Sequence, residues 1–155
     1  MSVSPEQLRM IIERMSRECP QAAALGMFTV SLEAEAAVLK VPYSPEIVGD
    51  PDTGVVAGGV VTTLLDHACG QSVMAALDEM QGVATLDLRI DYMRAAEPGL
   101  DIFARAHCYR ITHSIAFVRA TAYDRDLDDP VATAQAAFML TGLPAVFELP
   151  AEGPA

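Results

Sequence analysis

The chain has 155 residues, a length that suits one domain and is too short for two ordinary ones. Its net charge of −11 at pH 7 argues against general nucleic-acid binding, because a polyphosphate partner would be repelled at long range. Hydrophobic residues make up 52% of the chain, which leaves apolar surface to be covered and favours an oligomer.

The first predicted element is an amphipathic helix over residues 5–19. Ser4 stands at its N-cap, Pro5 at its first position and Gln7 where a capping box needs it, and Pro20 ends the helix. Its apolar face consists of Leu8, Ile11, Ile12, Met15 and Cys19. Charged side chains interrupt this segment, so it lacks the apolar core of a signal peptide and predicts a cytoplasmic protein.

Two strands joined by a tight turn are predicted between residues 27 and 41, and the Pro-, Gly- and Asp-rich stretch 44–54 predicts a loop. The segment 58–80 is too long for a strand, and its Ala, Leu and Met content predicts a central helix of about 34 Å. Polar residues such as Asp66 and His67 interrupt its apolar runs, so we do not expect the chain to enter a membrane.

Residues 84–93 predict the clearest strand, because apolar and charged residues alternate there. One face would carry Leu86, Leu88, Ile90 and Tyr92, and the other Asp87, Arg89 and Asp91. Three more apolar segments, 100–111, 115–123 and 131–143, predict an antiparallel meander. We therefore predict one α+β domain over residues 1–143, with a six-stranded antiparallel sheet covered by the central helix. Residues 144–155 hold three of the ten prolines and predict a flexible tail.

Asp66 is the main candidate for catalysis, because an aspartate among apolar residues must be paired, neutralised or used. Burial would raise the pKa of its carboxyl towards the range that suits a general acid or base. A structural role is equally open: Asp66 could bond to Thr62 one turn back, or be exposed at a bend. Composition alone does not choose between these interpretations.

Two segments carry a resemblance to a known family. The run from Ala57 to Gly70, AGGVVTTLLDHACG, resembles the HGG…D segment of hot-dog thioesterases of the PaaI and 4-hydroxybenzoyl-CoA thioesterase type. The run TLDLRIDYMRAAEPG resembles the strand that follows the helix in that family, and the likeness extends from about Gly54 to Leu140. The resemblance implies a hot-dog fold and an acyl-CoA thioesterase that needs no cofactor, with coenzyme A as part of its substrate.

The resemblance also implies roles for individual residues. It assigns the base or nucleophile to Asp66, the oxyanion-hole N–H to Gly58, and to Thr85 a strand hydroxyl that orients water in some relatives. By alternation Thr85 shares a face with Asp87, so it needs a bulge or a wet interface to act in the site. Ala57 replaces the HGG histidine and removes a side chain that helps to bind the thioester carbonyl. The residues expected to contact the substrate are Ala57, Gly59, Thr62, Gly70, Arg94 and Arg119, the two arginines at the CoA phosphates.

Helix geometry adds a constraint on Gly58 and Asp66. Eight residues separate them, or about 12 Å along one helix, so they cannot both touch one thioester carbon. If both roles hold, the two residues come from different subunits of a homodimer. We therefore expect a homodimer or a dimer of dimers.

Several alternatives remain open from the sequence. Gly58 and Gly59 could be a flexible loop end or a point of close packing, and His67 fits a packing or interface histidine better than a substitute base. The three cysteines fit neither a disulfide framework nor a CxxC pair, and no metal site is predicted. Ala57 motivates a second hypothesis, a non-catalytic acyl-CoA binding or sensing protein. A hydratase or dehydratase on the same fold ranks third.

Overall fold

The computed structural model describes residues 4–142, and its first element is helix α1 (Pro5–Glu18). The Gln7 N–H donates to the Ser4 hydroxyl and the Ser4 N–H donates to the Gln7 side chain, so the predicted capping box is confirmed. Pro20 does end α1, but it also begins a short helix, α2 (Pro20–Ala24), that was not predicted. Proline suits the start of α2, because its missing N–H is not needed in a first helical turn. It suits the end of α1, because without an N–H it cannot continue that helix.

The two predicted early strands are confirmed as β1 (Phe28–Glu33) and β2 (Ala36–Val41). The segment 44–54, predicted as a loop, holds more structure than expected. It contains a turn of 3₁₀ helix at Pro45–Ile47, and strand β3 (Val48–Asp50) pairs with β4 (Val55–Val56) in a separate two-stranded ribbon. This ribbon leads directly into the central helix.

The central helix, α3, spans Gly58–Ala76 and ends four residues earlier than predicted. Leu77 adopts an extended conformation, with φ −88° and ψ 135°, and packs against the core. Leu77 thus leaves the helical path where its side chain, which is partly buried, meets the core. The remaining 19 residues form a helix of about 28 Å.

Four long strands follow, as predicted. They are β5 (Gly82–Tyr92), β6 (Ile102–Ile111), β7 (Ile115–Tyr123) and β8 (Ala132–Gly142). The six-stranded sheet has the order β1-β2-β6-β7-β8-β5, and every pair of neighbours is antiparallel. Strand β5 therefore lies at an edge, beside β8, and the last three strands form the predicted meander.

Helix α3 packs on one face of the sheet and contacts all six strands. The central strands present small side chains to this core, which lets the helix backbone approach the sheet closely. These buried alanines are Ala104, Ala106, Ala116, Ala120, Ala122, Ala132, Ala134 and Ala136. From the helix, Leu64, Leu65 and Val73 fill the space opposite and are fully buried.

The α+β architecture and the six-stranded antiparallel sheet over a central helix are thus confirmed. The predicted tail, residues 144–155, lies outside the described residues. Within residues 4–142, no helix is long and apolar enough to cross a membrane.

Candidate active site

Gly58 and Gly59 are the first two residues of α3, so they do not form a flexible loop end. Ala57 is the N-cap, with φ −60° and ψ 134°, and its side chain makes no capping hydrogen bond. Among the described residues, neither the Gly58 N–H nor the Gly59 N–H has a hydrogen-bond partner, as expected for the first turn of a helix. Both glycines are exposed, so these N–H groups can meet a ligand where the helix dipole is positive.

The carbonyl of Gly58 is held by two side chains. The Tyr92 hydroxyl donates to the Gly58 carbonyl oxygen at 2.8 Å, and the Thr62 hydroxyl donates to it at 3.2 Å. The two hydroxyl oxygens are also 2.6 Å apart, so one hydroxyl can donate to the other while that other donates to the carbonyl. Because the Gly58 carbonyl and the Gly59 N–H belong to one rigid peptide plane, these contacts orient that N–H. The Thr62 hydroxyl therefore makes its hydrogen bonds at the helix N-terminus and does not bond to Asp66.

The carboxylate of Asp66 accepts a hydrogen bond of 2.8 Å from the Thr85 hydroxyl on β5. Thr85 lies opposite Phe138 and Asp87 lies opposite Ala137, so Leu86 is an extra residue in the strand. This bulge corrects the alternation predicted for β5, because Thr85 now faces α3 while Leu86 points away and is 50% exposed. Asp66 itself is half-buried rather than buried, which corrects the sequence expectation.

Asp66 and Thr85 line a cavity of about 330 Å³ between α1, α3 and the β5–β8 edge of the sheet. Most of its wall is apolar and consists of Ile12, Met15, Met74, Met80, Val83 and Phe138. Gly70 lies on this wall, where an added methyl group would meet the Phe138 ring at 3.6 Å. Gly58 is not among the described residues that line the cavity, and open space surrounds Gly59.

Two buried polar residues meet at one side of the cavity. Gln71 on α3 donates from its amide nitrogen to the Ser16 hydroxyl on α1, and its carbonyl oxygen accepts a hydrogen bond of 2.8 Å from Thr29 on β1. Gln71 and Ser16 are only 4% and 6% exposed. These bonds connect α1 to the helix that carries Asp66.

His67 makes contacts that agree with a packing role. Its Nδ1 donates to the Thr63 carbonyl oxygen at 3.1 Å, and its Nε2 lies 3.6 Å from the Cys19 sulfur. Neither contact involves Asp66.

Cys69, two residues beyond His67 on α3, is fully buried. Its burial, together with the negative charge of Asp66, raises the pKa of the Cys69 thiol to about 12.

The structure argues against the predicted phosphate contact of Arg94. The guanidinium of Arg94 forms a bidentate pair with Asp124, at 2.6 and 2.9 Å, and lies 3.2 Å from the Asp129 carboxylate. The hydrogen bonds from Arg94 hold the pKa of Asp124 well below its usual range, despite its burial. Arg94 thus connects the segments that follow β5 and β7 instead of facing a ligand.

Arg119 lies on β7 between the buried residues Val118 and Ala120, so it faces away from α3. Its guanidinium stacks over the Tyr109 ring, 4.6 Å from the ring centre. Within one chain, Arg119 and Asp66 are therefore on opposite sides of the sheet.

Among residues 4–142, no group of three or more His, Cys, Asp or Glu side chains is placed to hold a metal ion.

Comparison with known proteins identifies the family. The family model described as "Thioesterase superfamily" matches residues 53–131, just over half of the chain. The chain belongs to this superfamily. The match covers α3 with Asp66 and β5 with Thr85, and it identifies the protein as a thioester hydrolase with the hot-dog fold.

One curated relative resembles the chain over most of its length, and another resembles it over half. The medium/long-chain acyl-CoA thioesterase YigI of Escherichia coli is 26% identical over 148 residues, covering 87% of this chain and 94% of that protein. A Halobacterium salinarum protein with an esterase designation is 35% identical over 80 residues, covering 50% of this chain and 52% of its own length. The chain thus spans about half of that second relative.

Solved structures agree with this assignment. A Pseudomonas aeruginosa protein is 39% identical, with a TM-score of 0.79, and the match covers 86% of this chain and 99% of that one. The PaaI protein of E. coli is 16% identical, with a TM-score of 0.78, covering 89% of this chain and 96% of that one, and supports the fold alone. The resemblance to PaaI-type hot-dog proteins is confirmed.

The sequence interpretation missed three contributors to this site. It placed Tyr92 on an apolar stripe, although an inward-facing tyrosine near a helix end could have suggested a hydrogen bond from its hydroxyl. It did not place α1 at the cavity, although the apolar stripe of that helix, which includes Ile12 and Met15, needed a surface to cover. It also gave no role to Gln71, whose partners are 42 and 55 residues away.

Proposed function

We propose that this chain hydrolyses acyl-CoA thioesters to free acid and CoA, with Asp66 as base or nucleophile. The observation that carries the proposal is the Asp66 carboxylate, which accepts a hydrogen bond from Thr85 on the wall of a mostly apolar cavity. An acyl group that enters this cavity removes its apolar surface from water, which favours binding. The carboxylate then lies beside the thioester at the cavity wall. No cofactor is needed, because coenzyme A enters as part of the substrate.

The acyl group that fits best is an aliphatic chain. Three methionines, Met15, Met74 and Met80, line the cavity, and their flexible side chains adapt to a flexible alkyl group. The relative YigI, whose name specifies medium and long acyl chains, supports the same class of substrate. Arg94 is excluded from our proposal for the CoA phosphates, since Asp124 already binds it.

The hydrogen bond from Thr85 occupies one oxygen of Asp66, Oδ1. No other side-chain hydrogen bond reaches Asp66 among the described residues, so Oδ2 is available for the reaction. This oxygen either takes a proton from a water that attacks the thioester carbon, or attacks that carbon itself to form a mixed anhydride; in both routes the C–S bond breaks and CoA leaves as the thiolate. Single turnover in ¹⁸O-water identifies the anhydride route if the isotope appears in the Asp66 peptide, because only an anhydride that water opens at the Asp66 carboxyl leaves ¹⁸O there.

We propose further that each site is completed by two subunits. Gly58 and Asp66 lie eight residues apart on one continuous helix, or about 12 Å, and the cavity that Asp66 lines does not include Gly58. A second copy could bring its Gly58 N–H to the thioester oxygen opposite Asp66. Strand β5 has a free edge among the described strands, and a long exposed edge favours pairing with another chain.

The test of the proposed hydrolysis is release of thiol from a panel of aryl, short-chain and medium-chain acyl-CoAs. Asp66→Asn keeps the size of the side chain and its acceptor oxygen for Thr85 but removes the charge, so we expect kcat to fall at least a hundredfold. Asp66→Ala should lose as much activity. Circular dichroism of both variants verifies the fold. Turnover of the aspartate variants at the wild-type rate, or binding of acyl-CoA by wild type without turnover, would contradict the proposal.

A further inference from the structure

Cys19 and His67 form a thiol–imidazole pair that the proposed hydrolysis does not use. The Cys19 sulfur lies 3.6 Å from Nε2 of His67. The other ring nitrogen, Nδ1, lies 3.1 Å from the Thr63 carbonyl oxygen, which can only accept, so Nδ1 carries the proton of the neutral ring. The lone pair of Nε2 therefore faces the Cys19 sulfur, and the Cys19 S–H donates a hydrogen bond to it. This is the arrangement in which an imidazole activates a cysteine.

The pair lies in the same cavity as the proposed catalytic carboxylate. Cys19, His67, Asp66 and Thr85 all line the cavity of about 330 Å³. A small reagent that enters the cavity therefore meets the Cys19 sulfur. Any group attached to that sulfur takes space that the acyl chain needs.

The other two thiols of the chain are in a different situation. Cys69 and Cys108 are 0% and 2% exposed, and burial raises the pKa of both thiols. Neither has a histidine partner among the described hydrogen bonds. They serve as controls within the same chain, because a reagent that needs an accessible, activated thiol should leave both unchanged.

We propose that Cys19 is a modification site for low-molecular-weight disulfides and that a mixed disulfide at Cys19 blocks thioester hydrolysis. The blocking effect rests on the proposed function, whereas the modification itself does not. In the reaction, His67 Nε2 accepts the thiol proton and the Cys19 sulfur attacks one sulfur of the disulfide RS–SR. The S–S bond of the reagent breaks, a Cys19–S–S–R bond forms, and the thiolate RS⁻ leaves and takes the proton back from His67.

The test uses the full chain and 2-hydroxyethyl disulfide, a reagent small enough for the cavity. Intact-mass measurement should show one added hydroxyethylthio group per chain, and peptide mapping should place it at Cys19. We expect the rate of acyl-CoA hydrolysis to fall at least tenfold and to recover when dithiothreitol removes the group. An aliphatic carboxylic acid that fills the cavity should slow the modification.

Two variants separate activation from simple exposure. Cys19→Ser should gain no mass and should keep the hydrolysis rate of its own untreated sample. His67→Gln keeps the thiol but removes the imidazole, so modification should be roughly tenfold slower. A group mapped to Cys69 or Cys108, no group at all, or an unchanged rate in His67→Gln would overturn the assignment of an activated thiol.

A separate result tests whether modification of Cys19 inhibits hydrolysis. Full hydrolysis by protein that is fully modified at Cys19 would overturn it. If untreated protein hydrolyses no acyl-CoA, the proposed function fails, and the mapped mass still decides whether Cys19 is the modified thiol.

Discussion

At the scale of single residues, the contact between Thr85 and Asp66 depends on one extra residue in β5. Leu86 forms the bulge, and without it Thr85 would point away from α3. The resulting hydrogen bond of 2.8 Å fixes the orientation of the carboxylate relative to the cavity. If Asp66 acts as proposed, we therefore expect the hydroxyl at position 85 to matter for hydrolysis more than for packing.

We predict that Thr85→Val lowers kcat by roughly tenfold to a hundredfold, because a hydrogen bond to a charged group is worth about 1.5–3 kcal/mol. Valine keeps the β-branched shape, so the strand should still form. Thr85→Ser, which retains the hydroxyl, is the matched control and should stay within a few-fold of wild type. Steady-state hydrolysis of one acyl-CoA by the three proteins checks this, and equal kcat values for valine and threonine would contradict it.

At the scale of elements, helix α1 covers the cavity and is connected to the helix beneath it by a polar contact. Gln71 on α3 binds Ser16 on α1 and Thr29 on β1, all in a mostly apolar environment. A buried hydroxyl that loses its partner is costly, so this small network determines where α1 lies.

We predict that Gln71→Met destabilises the chain by about 1–3 kcal/mol. Methionine fills nearly the same volume, so the loss comes from leaving the Ser16 and Thr29 hydroxyls unpaired. Denaturation in urea measures the free energy of unfolding. The double variant Gln71→Met with Ser16→Ala should recover part of the loss, and a double variant less stable than the single one would argue against this account.

A second connection between elements is the ion pair of Arg94 with Asp124. Asp124 is 9% exposed, and its carboxylate also accepts backbone N–H bonds from Glu97 and Arg125. Its pKa in the folded chain is therefore below the unfolded value of about 3.9. The stabilisation is complete above that unfolded value and is lost as the pH falls from about 4 towards the folded pKa.

We predict that Asp124→Asn costs about 2 kcal/mol at pH 7, because Arg94 then loses its bidentate carboxylate and keeps only Asp129 as a charged partner. The difference in unfolding free energy between wild type and Asp124→Asn should shrink as the pH falls from 5 to 2. Urea denaturation at several pH values and constant ionic strength measures that difference. A difference that stays constant down to pH 2 would contradict the assignment.

At the scale of the whole molecule, α3 places Gly58 and Asp66 too far apart to act on one thioester within one chain. Complete sites in the proposed function therefore require a dimer, and light scattering should find no stable monomer at working concentrations. A stable, fully active monomer would contradict the shared site.

Mixed subunits provide the sharper prediction. Gly58→Pro removes the N–H at a helix position that tolerates proline, and Ala57 already has the extended conformation that precedes one. Gly58→Ala, which keeps the N–H, is the control. Refolding inactive Gly58→Pro with inactive Asp66→Asn should restore about a quarter of wild-type activity if each site uses two chains, since half the dimers then hold one intact site. No recovery would contradict a shared site.

Caps, periodicity and turn residues act over a few positions, so the sequence alone predicted the two long helices and the six strands of the main sheet, though not α2 or the β3–β4 ribbon. The capping box at Ser4, the strands after α3 and the placement of Gly58 and Asp66 on one helix all followed from local patterns and the family resemblance. Only the tertiary structure decided which side chains meet. The bulge that turns Thr85 towards Asp66, the binding of Arg94 by Asp124 and the 48-residue separation between Cys19 and His67 depend on how distant segments pack. Such contacts leave no local signal, since they arise from the competition of many surfaces for one core.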